Sequence, residues 1–62
     1  MWRITTSIFG CVIDSTYDSL QGCIDELHRQ WNMMGFDNMD WYLIEEFFDN
    51  KWFKRGFQKM DE

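Results

Sequence analysis

The chain contains one segment with a sustained helical repeat, and that segment limits the folds open to the rest. Apolar residues recur at intervals of three and four between residues 20 and 34, so one face of a helix would be apolar. Asp18 is a suitable N-cap and Gly35 a suitable stop, which predicts a helix from about residue 19 to 34. The apolar positions are Leu20, Cys23, Ile24, Leu27, Trp31 and Met34.

The segment before this helix is typical of strands. Residues 2 to 8 alternate between apolar or threonine positions and polar positions, and several are β-branched, which favours a strand with one buried face. An interruption at Phe9–Gly10 separates this segment from a second apolar run, Cys11–Ile13. We interpret the interruption as a tight hairpin turn rather than a bulge within one bent strand.

Residues 41 to 57 admit two interpretations. As a helix they would place aromatic residues on one side and acids on the other, with Asp40 as the cap and Gly56 as the stop. As a hairpin, two runs of strand-forming residues would flank a turn at Asp49–Lys51. A turn centred on Asn50–Lys51 would place Phe48 opposite Phe53, Glu46 opposite Arg55 and Ile44 opposite Phe57.

We favour the hairpin because the N-terminal strands need partners and an isolated hairpin is marginally stable. The predicted fold class is α+β, a small ββαββ domain with an antiparallel sheet packed on one amphipathic helix. The alternative is a β-hairpin followed by two helices. A length of 62 residues allows one core, so residues 1–62 are expected to form a single small acidic domain. The tail from Gln58 to Glu62 is expected to fray.

Aromatic residues are unusually abundant for so short a chain. They make up 19% of it, with four Trp, six Phe and two Tyr. Rings of this size bury about 150 to 250 Å² each and can support a small core, but so small a domain cannot hide all of them. The surplus is therefore a candidate interface.

The sequence does not suggest a membrane protein. Its longest wholly apolar runs, such as Trp41–Ile44, have four residues or fewer, far short of a membrane-spanning helix. The first residues lack the apolar stretch of a signal peptide. We expect no membrane association and a cytoplasmic location.

No arrangement of residues predicts catalysis or metal binding. The single histidine, His28, lies on the polar side of the predicted helix, away from Cys23. Cys11 and Cys23 are interpreted as small buried residues, with a disulfide as the alternative. Together with His28 they would form an incomplete metal site without a CxxC pair. We expect no enzymatic activity, no metal and no cofactor.

Charge is unevenly distributed along the chain, whose net charge is −5. Residues 4 to 50 contain nine acids and a single base, Arg29, whereas four of the six bases lie between residues 51 and 59. Such acidity disfavours direct binding of nucleic acid. It is compatible with docking on a basic partner, and also with a face that only maintains solubility.

The function predicted from these features is a non-catalytic protein-binding module. It would act as a stoichiometric inhibitor or modulator on a basic, nucleic-acid-binding site of a larger protein, as small phage-encoded nucleic-acid mimics of similar size and charge do. The alternative is a structural homo-oligomer or accessory subunit that uses its aromatic surplus as an interface, and the chain could be a monomer or a homodimer. The predicted partner-binding residues are Asp25, Glu26, Asp37, Asp40, Trp41, Glu45, Glu46, Asp49 and Trp52.

Overall fold

A computed structural model of the chain describes residues 1–59, apart from the side chain of Phe36, and has the element order ββαββ. This confirms the predicted α+β class, and the alternative of a β-hairpin followed by two helices is wrong because residues 39–59 form two strands. The elements are β1 (Trp2–Ile8), β2 (Cys11–Tyr17), α1 (Leu20–Met34), a 3₁₀ turn (Phe36–Asn38), β3 (Met39–Phe48) and β4 (Lys51–Lys59).

The four strands form one antiparallel sheet in the order β2-β1-β3-β4. β1 lies inside the sheet and pairs with β2 on one side and with β3 on the other. The edges are therefore β2 and β4. Gln58 and Lys59, which were expected to fray, belong to β4, whereas residues 60–62 lie outside the described residues.

The ends of α1 are set by a cap and a glycine. Ser19, rather than the predicted Asp18, is the N-cap: it has extended backbone angles and its hydroxyl accepts a hydrogen bond of 3.2 Å from the Gly22 N–H. Asp18 lies one residue too far upstream for this role. At the other end Gly35 has a φ of 88°, and its N–H donates to the Trp31 carbonyl at 3.0 Å, as predicted for a glycine stop.

Both hairpins turn through two residues with positive φ, the arrangement that matches the twist of the adjoining strands. The first turn uses Phe9 and Gly10, with φ of 54° and 77°, and the second uses Asp49 and Asn50, with φ of 54° and 62°. Asp and Asn adopt this left-handed region more readily than other non-glycine residues. The predicted hairpins are therefore present.

The pairing within the second hairpin differs from the prediction. Phe48 lies opposite Lys51 rather than Phe53, because the turn consists of Asp49–Asn50 and not Asn50–Lys51. A bulge between Ile44 and Glu45 then shifts the register.

The core lies between α1 and one face of the sheet. α1 packs mainly against β1 and β2, with fewer contacts to β3. Trp2, Tyr17, Trp31 and Tyr42 surround the core as partly buried residues. Its buried apolar residues are Ile4, Ile8, Cys23, Leu27, Met39 and Ile44. Cys23 is thus buried as predicted, and burial raises the pKa of its thiol, but Cys11 is exposed on β2.

A buried chain of hydrogen bonds joins α1 to the centre of the sheet. The Thr6 hydroxyl donates to Oε1 of Gln30 at 2.7 Å, and Nε2 of Gln30 donates to Oε2 of Glu26 at 2.6 Å. Arg29 donates to the same carboxylate, with 2.8 Å from Nε to Oε1. Hydrogen bonds from Arg29 and then Gln30 lower the pKa of Glu26 to about 2, against the opposing effect of burial. The hydrogen bond between Thr6 and Gln30 is therefore held in place by the charged carboxylate of Glu26.

We expect Phe9→Asn to stabilise the protein by about 1 kcal/mol, because a phenylalanine is strained in the left-handed region, whereas asparagine tolerates it and Asn-Gly suits this turn. The Phe9 side chain is 69% exposed, so its removal costs little burial. Phe9→Ala is the control, since alanine keeps the backbone strain. Urea denaturation measures the difference, and an Asn variant less stable than the Ala variant would contradict this interpretation.

Acid should weaken the protein through Glu26. Its pKa is about 2 in the folded protein and 4.5 ordinarily, so the unfolded chain binds the proton more readily. The stabilisation is present above pH 4.5 and is lost as the pH falls towards 2. Glu26→Gln should flatten the pH dependence of the unfolding free energy over this range, as measured by urea denaturation at each pH. Asp25→Asn, outside the network, should not flatten it. An unchanged pH dependence in Glu26→Gln contradicts the assignment.

Candidate functional site

The face of the sheet opposite α1 is uncovered. Side chains alternate along each strand, so the neighbours of the buried residues Ile4 and Ile44 point away from the helix. Within residues 1–59, α1 is the only helix longer than one turn, and it packs on the other face. We call the uncovered side the open face.

The half of the open face that belongs to β3 and β4 is dominated by aromatic rings. Cross-strand partners bring these residues together: Leu43 lies opposite Phe57, and Phe47 lies opposite Trp52. The Phe47 and Trp52 ring centroids are 5.1 Å apart, and those of Trp41 and Phe57 are 6.2 Å apart. We call this set the aromatic strip; it consists of Trp41, Leu43, Phe47, Trp52 and Phe57.

The strip is accessible. Phe47 is 41% exposed and Phe57 is 50% exposed, although both lie within regular strands. Ring contacts across the strands hold these side chains in place, so binding would cost them little conformational entropy. The arrangement is suited to docking on another surface rather than to chemistry on a small molecule.

Charged groups lie over the rings of the strip. Arg3 of β1 donates two hydrogen bonds to Oε1 of Glu45, at 3.0 Å from Nε and 2.8 Å from Nη2. Its guanidinium carbon lies 4.1 Å from the Trp52 ring centroid, close enough for a cation–π interaction. Lys54 Nζ lies 5.6 Å from the Phe57 ring centroid. The cations therefore order the Trp52 and Phe57 rings, and Arg3 covers part of one face of Trp52.

The other half of the open face, on β1 and β2, is more polar. Thr5 and Asp14 form one cross-strand pair there, and Val12, which is exposed, lies opposite Ser7. The Asp40 carboxylate accepts hydrogen bonds of 3.0 Å from the Ser7 hydroxyl and from the Gly10 N–H. One open face thus joins an aromatic half to a half that carries acids.

The nine predicted site residues do not share one surface. Trp41, Glu45 and Trp52 lie together on the open face, with Asp40 at one end of it. Glu46 lies on the opposite face of the sheet, the face on which α1 packs. The remaining residues lie elsewhere: Asp25 and Glu26 on α1, Asp37 in the 3₁₀ turn and Asp49 in the β3–β4 turn.

Three of the predicted acids are neutralised by arginine. Glu26 pairs with Arg29, Glu45 with Arg3 at 2.8 Å, and Glu46 with Arg55 at 3.2 Å. Asp40 and Asp49 lie at opposite ends of β3, about 30 Å apart at the usual rise per residue of a strand. Among residues 1–59, the acids outside salt bridges are Asp14, Asp18, Asp25, Asp37, Asp40 and Asp49.

Four residues that form or contact the aromatic strip were not predicted as site residues: Arg3, Leu43, Phe47 and Phe57. The signal for Leu43 and Phe47 was present, because alternation along residues 41–47 places them on one face with Trp41 once the segment is taken as a strand. The position of Phe57 depends on the shifted register of β4, which the sequence does not specify. The position of Arg3 depends on the pairing of β1 with β3, which the sequence does not specify.

The structure offers few groups for catalysis. His28 is exposed on α1, with its ring centroid 5.5 Å from that of Trp31, while Cys23 is buried beneath the helix. Among the described residues, no three His, Cys, Asp or Glu side chains are grouped so that they could hold a metal ion. The absence of enzymatic activity stays a prediction.

Comparisons with protein-family models, curated proteins and solved structures found no match to this chain. No helix within residues 1–59 is long and apolar enough to cross a membrane.

We expect Phe57→Thr to lower the free energy of unfolding by at most about 1 kcal/mol, the usual contribution of a cross-strand pair. Ile44→Ala, in the core beside it, should cost about 2 to 5 kcal/mol. Urea denaturation compares the two substitutions. Equal losses would show that the strip is part of the core rather than a free surface.

Proposed function

We propose that this chain is a non-catalytic protein-binding module that docks on a larger protein through the aromatic strip. The observation that carries the proposal is a set of ordered, part-exposed rings on a sheet face with no covering element among the described residues. Contiguous exposed apolar surface of this kind is typical of interaction sites. Trp and Arg are also the residue types that most often dominate interface energies.

The partner is inferred from the chemistry of the open face. Rings such as Trp52 and Phe57 require an apolar pocket or groove, in which the paired Arg3 and Glu45 can remain hydrogen-bonded to each other. The acids Asp14 and Asp40, on the polar half, favour basic residues beside that groove. A net charge of −5 would in addition steer the chain towards a positively charged protein.

We further propose that the chain acts as a stoichiometric inhibitor or modulator by covering a basic, nucleic-acid-binding site of the larger protein. Its support is the net charge and the six acids outside salt bridges. Only Asp14, Asp40 and Asp49 of these acids lie on the sheet or its turns beside the open face, whereas Asp25 lies on α1 and Asp37 in the 3₁₀ turn. A basic channel would therefore be contacted at separated points rather than along one acidic band. Mimicry of an evenly charged nucleic-acid backbone has less support than docking by the rings.

Affinity capture with paired variants tests the proposal. Trp52→Ala should reduce capture of a specific partner from a lysate of the source cells by tenfold or more, because a central Trp anchor contributes about 2 kcal/mol or more. Phe48→Thr is the matched control: Phe48 is an exposed aromatic residue of the same strand pair, on the side of α1. It should change capture less than twofold. Equal capture by wild type and Trp52→Ala contradicts the proposal.

The basic nature of the partner is tested by salt. Raising the ionic strength from about 0.1 to 0.5 M should weaken capture steeply if the acids face basic side chains, since exposed charges are then screened. Substitution of Asp14 and Asp40 by Asn, which removes both charges, should reduce this salt dependence. Capture that persists unchanged in high salt would contradict a basic partner and leave docking by the rings alone.

A further inference from the structure

The two edges of the sheet differ in how they are protected against further strand pairing. β4 carries four cations, Lys51, Lys54, Arg55 and Lys59, and pairs with β3 through a bulge. Lysines and bulges are the usual means of blocking an edge strand. β2 has the sequence CVIDSTY, without Lys, Arg or Pro, and all seven of its residues pair with β1 in a regular register. The β2 edge is therefore open.

The free hydrogen-bonding groups of β2 can be identified from the hairpin. In a two-residue turn the flanking residues, here Ile8 and Cys11, form a hydrogen-bonded pair, and such pairs alternate along the ladder. Cys11, Ile13 and Ser15 therefore bond inwards to β1. The N–H and C=O groups of Val12, Asp14 and Thr16 point outwards from the sheet.

An apolar cleft runs beside this edge, between β2 and the C-terminal half of α1. It has a volume of about 220 Å³ and is lined by Ile8, Ile13, Met33 and Met34, together with the polar residues Ser15, Glu26, Arg29 and Gln30. Ile8 forms its base, whereas Ile13 is 41% exposed and Met33 is 64% exposed. The cleft and the open edge belong to one continuous surface, distinct from the aromatic strip on the other face.

We propose that this surface binds a second copy of the chain, with the two β2 strands antiparallel and Ile13 at the two-fold axis. The two sheets then become one sheet of eight strands, with both α1 helices on the same side. Val12 and Asp14 of each copy exchange backbone hydrogen bonds with Asp14 and Val12 of the other. This register satisfies the outward-pointing groups of Val12 and Asp14, whereas Thr16 lies opposite Gly10 of the turn.

Charge and facing exclude the two neighbouring registers. A two-fold axis at Asp14 would place two carboxylates directly opposite each other, which is destabilising. An axis between Ile13 and Asp14 would put the helices on opposite faces and leave both clefts open. With the axis at Ile13, the residue opposite Asp14 is the uncharged Val12, and the two isoleucines meet on the side of α1.

The same arrangement closes the apolar clefts. Ile13 lines the cleft from β2, so two copies paired through β2 place their Ile13 side chains against one another across the axis, with the exposed Met33 side chains beside them. Methionine is flexible enough to fill such a space. The outer edges of the dimer are then both β4, whose like charges oppose further addition, so the assembly is closed.

Disulfide trapping tests the register. In a background of Cys11→Ser, Ile13→Cys should cross-link rapidly under mild oxidation, because opposed residues of a non-hydrogen-bonded pair have Cα atoms about 4.5 Å apart. Val12→Cys and Asp14→Cys are matched controls: each would lie about 8 Å from its own copy, beyond disulfide reach. Cross-linking of Val12→Cys in preference to Ile13→Cys overturns the proposed register.

Sedimentation equilibrium tests the dimer itself. Wild type should be a dimer at tens of micromolar, and Ile13→Lys should raise the dissociation constant at least tenfold while circular dichroism shows the fold retained. Phe57→Lys, on the open face, should leave the dimer intact while reducing capture of the larger partner. The two variants thus distinguish a loss of the dimer from a loss of docking through the aromatic strip. A monomeric wild type, or an open series of higher oligomers, overturns the proposal.

Discussion

A single helix can cover only part of a four-stranded sheet, and the exposed surfaces of this protein follow from that limit. A helix is about 10 Å wide with its side chains, whereas four strands spaced by about 4.8 Å are almost twice as wide. α1 therefore packs on one face and mainly over β1 and β2. The opposite face and the β2 edge lie outside its reach, and the aromatic strip occupies the part of the open face farthest from β2.

The position of α1 depends on a small number of polar contacts as well as on apolar packing. Thr6 and Gln30 are both buried, and their hydrogen bond fixes the helix over the centre of β1. Glu26 receives donors from Gln30 and Arg29, so the network has few unsatisfied groups and tolerates little displacement of the helix. On the open face, Arg3 links β1 to β3 through Glu45 and to β4 through Trp52. The two faces are thus ordered by separate charged groups.

Much of the fold could be predicted from local sequence patterns, whereas the site depended on contacts between distant residues. The apolar repeat ending at Met34 and the glycine at position 35 predicted α1 within one residue at each end. The register of the second hairpin could not be predicted, because Asp49, Asn50 and Lys51 all suit turns and the bulge near Ile44 has no local signal. The predicted site grouped acidic residues that are close in sequence, but side-chain alternation along a strand separates such neighbours. Adjacent Glu45 and Glu46 lie on opposite faces of the sheet and pair with different arginines.

The central claim is that the aromatic strip is the docking surface. Hydroxyl-radical footprinting of the chain, free and in the complex recovered by affinity capture, tests it most directly because it reports the exposure of each side chain. We predict strong protection of Phe47, Trp52 and Phe57 in the complex, with Phe48 and Leu20, which are exposed elsewhere, labelled as in the free chain. Unchanged labelling of the strip together with protection of α1 would contradict the claim.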